Sequence, residues 1–276
     1  MYVALVLVAL ALGTVLFHYL SPWWWTPIAS NWTAIDDTMN IMFAITGVVC
    51  IAVILFMALC VFRFRHVEGR RAAYDPENKR LELILIIITG AGVAAMLTPG
   101  LIVWDRFITV PADAMTVEVL GQQWQWTYRL PGADKRLGAT DIRFVKPDNP
   151  MGLDPNDPSS LDDLIVTDDD LHLLVDKPVR VLLRSLDVVH DFYVPEFRAK
   201  MDLMPGMITY LWLTPTKIDV FDILCAGFCG IGHPQMRGRI IVDSPEDYAS
   251  WLTSLKTFAQ LHSFSANNAA ARSGQR

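Results

Sequence analysis

Cys225, Cys229, His233 and Met236 recur at intervals of four, four and three residues in the stretch CAGFCGIGHPQM, which holds two of the four cysteines in this 276-residue chain. Two thiols, an imidazole and a thioether on one short loop are donors of the kind that hold soft or borderline metals. A Cys225–Cys229 disulfide suits an oxidising compartment but leaves His233 and Met236 without a purpose. Zinc accepts cysteine and histidine, yet methionine is a poor zinc ligand and the spacing is neither a ribbon nor a finger. A blue-copper site uses one Cys, two His and a weak Met, and leaves one thiolate over. A dinuclear copper centre uses both thiolates as bridges and gives each copper one terminal imidazole, so it requires a second histidine from elsewhere.

Of the six histidines, His18 lies in an apolar N-terminal run, His66 in a basic loop and His262 in the terminal segment. His172, at a strand start among acids, reads as a surface residue. His190, in SLDVVHDFYVPEF, follows a strand-like run, where a loop at one end of a sandwich can meet the cysteine loop. It is the expected second imidazole.

The elements that must position these residues begin with the membrane. The chain is 53% hydrophobic, and three apolar runs precede residue 110: Tyr2 to Tyr19, Met39 to Phe62 and Leu81 to Trp104. The second carries no charge and as a helix reaches roughly 36 Å, enough to cross a bilayer core. The third holds Glu82 early and Pro99 late, and the proline is expected to bend the helix or end it near the surface. Between them, Arg63, Arg65, Arg70, Arg71, Lys79 and Arg80 make a basic loop, which the positive-inside rule places in the cytoplasm; everything after Trp104 then lies outside, in a bacterial periplasm. The first run is either a signal segment or a third membrane helix. It lacks a basic n-region and a clear small-x-small cleavage site, which favours retention. Trp23, Trp24 and Trp25 suit an interfacial aromatic belt on the outer side and equally suit packing on a partner. Cys50 and Cys60 fall within an apolar span, where free cysteine packs as a small hydrophobe.

From Val110 the pattern changes to short segments rich in Val, Ile, Leu and aromatics, broken by Gly, Pro and Asp. MTVEVLGQQWQWTYRL, LHLLVDKPVRVLLRSL, MITYLWLTP, KIDVFDILC and RGRIIVD read as strands of a β-sandwich or Greek-key barrel. A polar insertion, Pro131 to Asp170, reads as a loop ending in Asp162, Asp163, Asp168, Asp169 and Asp170. That acidic run is either a solvated surface or a docking edge for a basic partner, and the net charge of -6 suits both. PEDYASWLTSLKTFAQLH is expected to be a terminal helix, and SFSANNAAARSGQR disordered. The expected organisation is an N-terminal segment over 1–38, a transmembrane hairpin over 39–109, an outer all-β domain over 110–245 and a terminal helix with tail over 246–276. There is no phosphate-binding glycine loop and no nucleic-acid patch. Without a C-x-x-C-H motif no c-type haem is attached, so any electron donor is a separate molecule.

DVVHDFYVPEFRAKMDLMPG followed by CAGFCGIGHPQMRG resembles subunit II of the haem-copper oxidases, the cytochrome c oxidase family that carries a dinuclear copper centre. GQQWQW, the basic loop and the two spans resemble that family too, and the likeness covers Met39 to Leu252. It implies a cupredoxin-like Greek-key domain on a membrane hairpin, in complex with a haem-bearing large subunit, taking electrons from cytochrome c and passing them to haem for oxygen reduction. Carried onto this sequence, it implies His190, Cys225, Cys229, His233 and Met236 as ligands of two copper ions, with the backbone carbonyl of Gly227 as a further donor. It implies Trp124 as the tryptophan that receives electrons; from the residue alone, Trp124 reads as a packed strand aromatic.

The chain departs from the family at two positions. Gln125 stands where tyrosine is common, beside the receiving tryptophan. Gly227 stands where the family usually has glutamate, whose carbonyl faces copper while its side chain reaches a magnesium ion at the border with the large subunit. Glycine keeps the carbonyl and loses the carboxylate, so the expectation is an intact copper centre and a missing or rebuilt magnesium site. Two alternatives stand beside the oxidase reading: the same module in a haem-copper nitric oxide reductase, and a copper-free scaffold subunit as in quinol oxidases.

Overall fold

The computed structural model describes residues 2–21, 26–71, 77–167 and 169–262. The expected aromatic belt of Trp23, Trp24 and Trp25, the acid Asp168 and the expected disordered tail 263–276 lie outside the described residues. The chain forms two compact units, one holding the N-terminal helix with Thr33–Asp105, the other joining Pro27–Trp32 to the residues from Arg106 onward.

In the first unit the three apolar runs are helices α1 (Tyr2–Leu20), α2 (Thr33–Arg63) and α3 (Lys79–Ile108). Each is long and apolar enough to cross a membrane. Their Leu, Ile, Val and Phe side chains are exposed, an arrangement that lipid satisfies and water does not. α1 packs on α2, and the buried residues of the pair are Ala4, Ala11 and Ala58, small side chains that allow close approach. α3 does not stop at Pro99 but continues to Ile108; a proline inside a spanning helix removes one backbone hydrogen bond, a loss such helices tolerate.

The second unit is a sandwich of strands β1 (Met115–Gln122), β2 (Gln125–Leu130), β3 (Leu164–Thr167), β4 (Leu171–Leu174), β5 (Val179–Ser185), β6 (His190–Val194), β7 (Ala199–Leu203), β8 (Thr209–Leu213), β9 (Val220–Cys225) and β10 (Arg237–Asp243). One sheet runs β3-β2-β1-β5-β8 and the other β4-β10-β9-β6-β7. Alternate residues such as Val179, Val181 and Leu183 on β5 face the core while Arg180 is exposed, the period-two burial of packed sheets. The stretch expected to be one strand at residues 115–130 is a hairpin, with Gln122 opposite Gln125. The expected terminal helix is interrupted: one helix spans Pro245–Ser254, and residues 258–262 form a separate helical turn.

The polar insertion is ordered rather than a solvated loop. Met151 and Leu153 are buried with Leu120 and Phe258, and a short helix α4 (Pro158–Leu161) is capped by the Asp157 carboxylate on the Ser159 N–H. β3 then closes the insertion onto β2. Asp163 is completely buried and pairs with Arg129 at 3.0 Å, while Arg129 also meets Glu118 at 2.6 Å and Arg184 meets Glu118 at 2.9 Å. Burial pushes the Asp163 carboxyl up to about 7 although Arg129 and the Gly138 N–H draw it down. Asp163 is therefore an internal anchor and not part of a docking edge. Arg129→Met, which leaves two buried carboxylates short of their shared cation, is expected to lower stability by about 3–5 kcal/mol in denaturant unfolding followed by tryptophan fluorescence.

The segment Pro27–Trp32, expected to be an outer loop of the N-terminal region, is part of the sandwich unit. The Ala29 N–H donates to Glu196 O at 2.8 Å, the Thr216 N–H donates to Ala29 O at 2.9 Å, and Trp32 Nε1 donates to Trp212 O at 2.9 Å. Trp32 is buried against Trp212, with ring centroids 4.8 Å apart.

Candidate metal centre

The centre lies where β9, β6 and β10 end or begin. Cys225 is the last residue of β9, Met236 directly precedes β10, and the loop between them turns through a 3-10 segment, His233–Gln235. His190 is the first residue of β6 rather than a loop residue, and β6 pairs with β9 through Phe192 opposite Cys225. Sheet pairing thus fixes the distant histidine beside the cysteine loop.

Cys225 and Cys229 are free thiols with Sγ atoms 3.7 Å apart. Each faces one imidazole: Cys225 Sγ is 3.9 Å from His190 Nδ1, and Cys229 Sγ is 3.5 Å from His233 Nδ1. Met236 Sδ is 3.8 Å from Cys229 Sγ, and the Cys225 thiol donates to the Gly227 carbonyl at 3.2 Å. The ligand atoms of His190, Cys225 and Cys229 all fall within 4.8 Å of one another. Every expected copper ligand is therefore gathered here, the Gly227 carbonyl included. His172 is placed elsewhere, its Nδ1 2.6 Å from Asp243 Oδ2 and its ring stacked on Trp251.

The surroundings prepare the donors. His190 is fully buried, and its Nε2 lies 2.8 Å from Asp187 Oδ1; with that nitrogen donating, Nδ1 presents its lone pair to the thiols. Against the opposing pull of partial burial, hydrogen bonds from His190 and from the Gln123 and Val188 N–H groups hold the Asp187 carboxyl below the usual range. Burial, and then the neighbouring Cys225, push the Cys229 thiol up to about 11; a metal must displace that proton, since the thiolate is the ligand. Trp126 sets its ring edge-on to His190 and Phe192, at 6.4 and 6.0 Å, so one side of the site is apolar.

Trp124 is 38% exposed and reaches the centre directly: its Nε1 donates to the Cys229 carbonyl at 3.2 Å, beside the Gln123 side chain at 2.8 Å. Its ring lies over Gly232, where an added Cβ would come within 2.2 Å of the indole. Asp187, Gln123 and Gly232 were not singled out from the sequence. Only Asp187 carried a signal, a carboxylate three residues before a candidate ligand histidine.

The acidic run divides. Asp169 and Asp170 line the same surface hollow as Trp124, together with Asp222, Arg237 and Arg239. Arg239 pairs with Asp170 through two nitrogens, at 2.7 and 3.0 Å. Asp162 instead accepts from the Asp134 N–H within the insertion.

Helices long and apolar enough to cross a membrane, on a chain whose β-sandwich gathers two thiols and two imidazoles at one end, define a membrane-anchored, cupredoxin-like subunit with a cysteine and histidine cluster that fits copper. Residues 115–244 match the family model described as cytochrome C oxidase subunit II, periplasmic domain. Over 272 residues the chain is 61% identical to the alternative cytochrome c oxidase subunit 2 of Bradyrhizobium diazoefficiens, covering 99% of this chain and 97% of that one. Cytochrome c oxidase subunit 2 of Cereibacter sphaeroides is 28% identical over 82% of this chain and 77% of its own. Among solved structures, the periplasmic domain of subunit II of cytochrome oxidase (CoxB) of Bradyrhizobium japonicum matches 53% of this chain and 96% of its own at 25% identity, with a TM-score of 0.38. The chain belongs to the cytochrome c oxidase subunit II family, and is a subunit of an oxidase complex of the haem-copper type.

Proposed function

We propose that this chain is the electron-receiving subunit of a haem-copper terminal oxidase in a bacterial inner membrane, serving a cytochrome c in the periplasm and the haem of the large subunit. The observation that carries this reading is the pair of free, buried thiols 3.7 Å apart, each facing its own imidazole Nδ1. Two copper ions bound there would supply a one-electron carrier. Cys225 and Cys229 would bridge them, His190 and His233 would be the terminal ligands, and Met236 and the Gly227 carbonyl the weak ones. A donor set this soft selects copper over hard cations. The buried apolar walls around His190 limit rearrangement of solvent when the charge changes.

Trp124 would receive the electron: supporting this, its indole N–H is bonded to the Cys229 carbonyl and the residue is partly exposed to solvent. With Asp170 paired to Arg239, Asp169 and Asp222 are the carboxylates in this hollow that would attract a basic donor, a contribution that salt weakens. Phe228 and Ile231, at the tips of the ligand loop and almost fully exposed, offer apolar contact to a partner protein. In this reading these residues carry electrons, and the oxygen chemistry belongs to the large subunit.

Copper analysis and EPR of the purified protein test the reading: two coppers per chain with a mixed-valence signal are expected, and a folded, metal-free chain would establish the scaffold alternative. Gly227 keeps a second acceptor in view, because a changed border with the large subunit suits a nitric oxide reductase. Oxygen and nitric oxide consumption by the same complex separates the two, with oxygen expected.

A further inference from the structure

Arg237 is the first residue of β10 and directly follows Met236 of the metal loop. It is exposed, and its guanidinium makes no hydrogen bond, ion pair or ring contact among the described residues. Arg239, two residues on, is by contrast held through two nitrogens by Asp170. Both arginines line the hollow of about 440 Å3 that Trp124 also lines, so an unengaged cation stands in the hollow of the tryptophan that would receive the electron.

Two further donors meet in the same hollow. Next along β10, Gly238 leaves space where Trp126 and Tyr128 line it: a Cβ there would lie 2.7 Å from the Tyr128 hydroxyl oxygen and 3.1 Å from Trp126 Cδ1. The atom bonded to that carbon, Trp126 Nε1, is buried without a hydrogen-bond partner among the described residues. An unpaired buried N–H is costly, and an incoming acceptor relieves the cost. Burial, and then Asp170, push the Tyr128 phenol up, so its hydroxyl stays a donor as well. A guanidinium, an indole N–H and a phenol together suit an oxyanion, and the planar fork of arginine takes both oxygens of a carboxylate. Asp169 and Asp222 line the hollow too, so it offers one pole to a cation and the other, at Arg237, to an anion. A partner that fits both poles carries a carboxylate among its basic groups.

We propose that Arg237 takes a carboxylate of the electron donor, and so selects at this hollow a donor with an acidic group near its exposed haem edge over a uniformly basic one. This rests on the reading of the chain as an electron-receiving subunit.

The test is stopped-flow electron uptake by the purified oxidase complex, in which each event oxidises one cytochrome haem by one electron and reduces the copper centre by one. The probes are two reduced monohaem cytochromes c, one uniformly basic around its haem edge and one with carboxylates there. Arg237→Gln should lower the second-order rate constant with the carboxylate-bearing cytochrome by about tenfold, leaving the saturated rate and the copper EPR signal unchanged. Arg237→Lys should recover part of that loss, because an ammonium attracts a carboxylate but cannot fork onto both oxygens. With the uniformly basic cytochrome, Arg237→Gln should take up electrons as fast as the unsubstituted complex or faster. If Arg237→Gln accepts electrons from the carboxylate-bearing cytochrome at the unsubstituted rate or above it, the guanidinium is only a solvated or repelling charge and the proposal is overturned. An unsubstituted complex whose copper centre is reduced by dithionite but by neither cytochrome would overturn the donor reading itself, and this assignment with it.

Discussion

Cys229→Ser is expected to abolish the dinuclear copper signal while leaving the sandwich folded. Cys229 Sγ touches Cys225 Sγ, His233 Nδ1 and Met236 Sδ at 3.7, 3.5 and 3.8 Å, so its replacement removes the atom shared by both halves of the site. A serine hydroxyl is harder, and at neutral pH it stays protonated where a metal-bound thiolate does not. The remaining donors, Cys225 with His190, hold one copper at most, so copper per chain should fall from two to one or fewer and the mixed-valence EPR pattern should vanish. Serine nearly matches cysteine in size, and the main cost to the fold is one poorly satisfied hydroxyl, about 1–3 kcal/mol. Cys50→Ser, in α2 and outside the sandwich unit, serves as the control and should leave the signal intact. Retention of the full dinuclear spectrum by Cys229→Ser would dismiss the bridging role.

The second large effect is expected from a methyl group. Gly232→Ala places a Cβ 2.2 to 2.7 Å from Cδ2, Cε3 and Cε2 of Trp124, a clash that the rigid ring relieves by moving as a whole, so the indole must leave its seat. Its hydrogen bond to the Cys229 carbonyl then breaks. Displacing a reacting group by about an ångström can cost roughly a hundredfold in rate, and electron uptake from reduced cytochrome c in stopped flow should slow by about that factor. Trp124→Phe, which keeps a ring over Gly232 but lacks the N–H, should retain more of the rate. If Gly232→Ala takes up electrons at the unsubstituted rate, Trp124 is a packing residue after all.

The donors of the candidate copper site were legible because their chemistry is local. Cys225, Cys229, His233 and Met236 lie within one turn of chain, and few metals accept that set of donors. The spans were legible for a similar reason, since length and lack of charge suffice to mark a lipid-crossing helix. The insertion was misjudged because a polar composition does not reveal that Met151 and Leu153 find a core, or that Asp163 finds Arg129. The hairpin at Gln123 and Trp124 was hidden for a related reason. Its turn is held by the distant Asp187 and by the Cys229 carbonyl, and neither is marked by the residues of the turn itself.

By itself the sequence determined the thiol, imidazole and thioether donors of a site that fits copper, the helices long and apolar enough to cross a membrane, and the small glycine between the two cysteines. Tertiary structure alone decided that His190 arrives as the first residue of a strand paired to β9, that Trp124 rests on Gly232, and that the start of β6 at Asp191 faces Gly227. The physical reason is that donor chemistry belongs to single residues, whereas distance, burial and shared space arise only when strands far apart in the chain are brought into register.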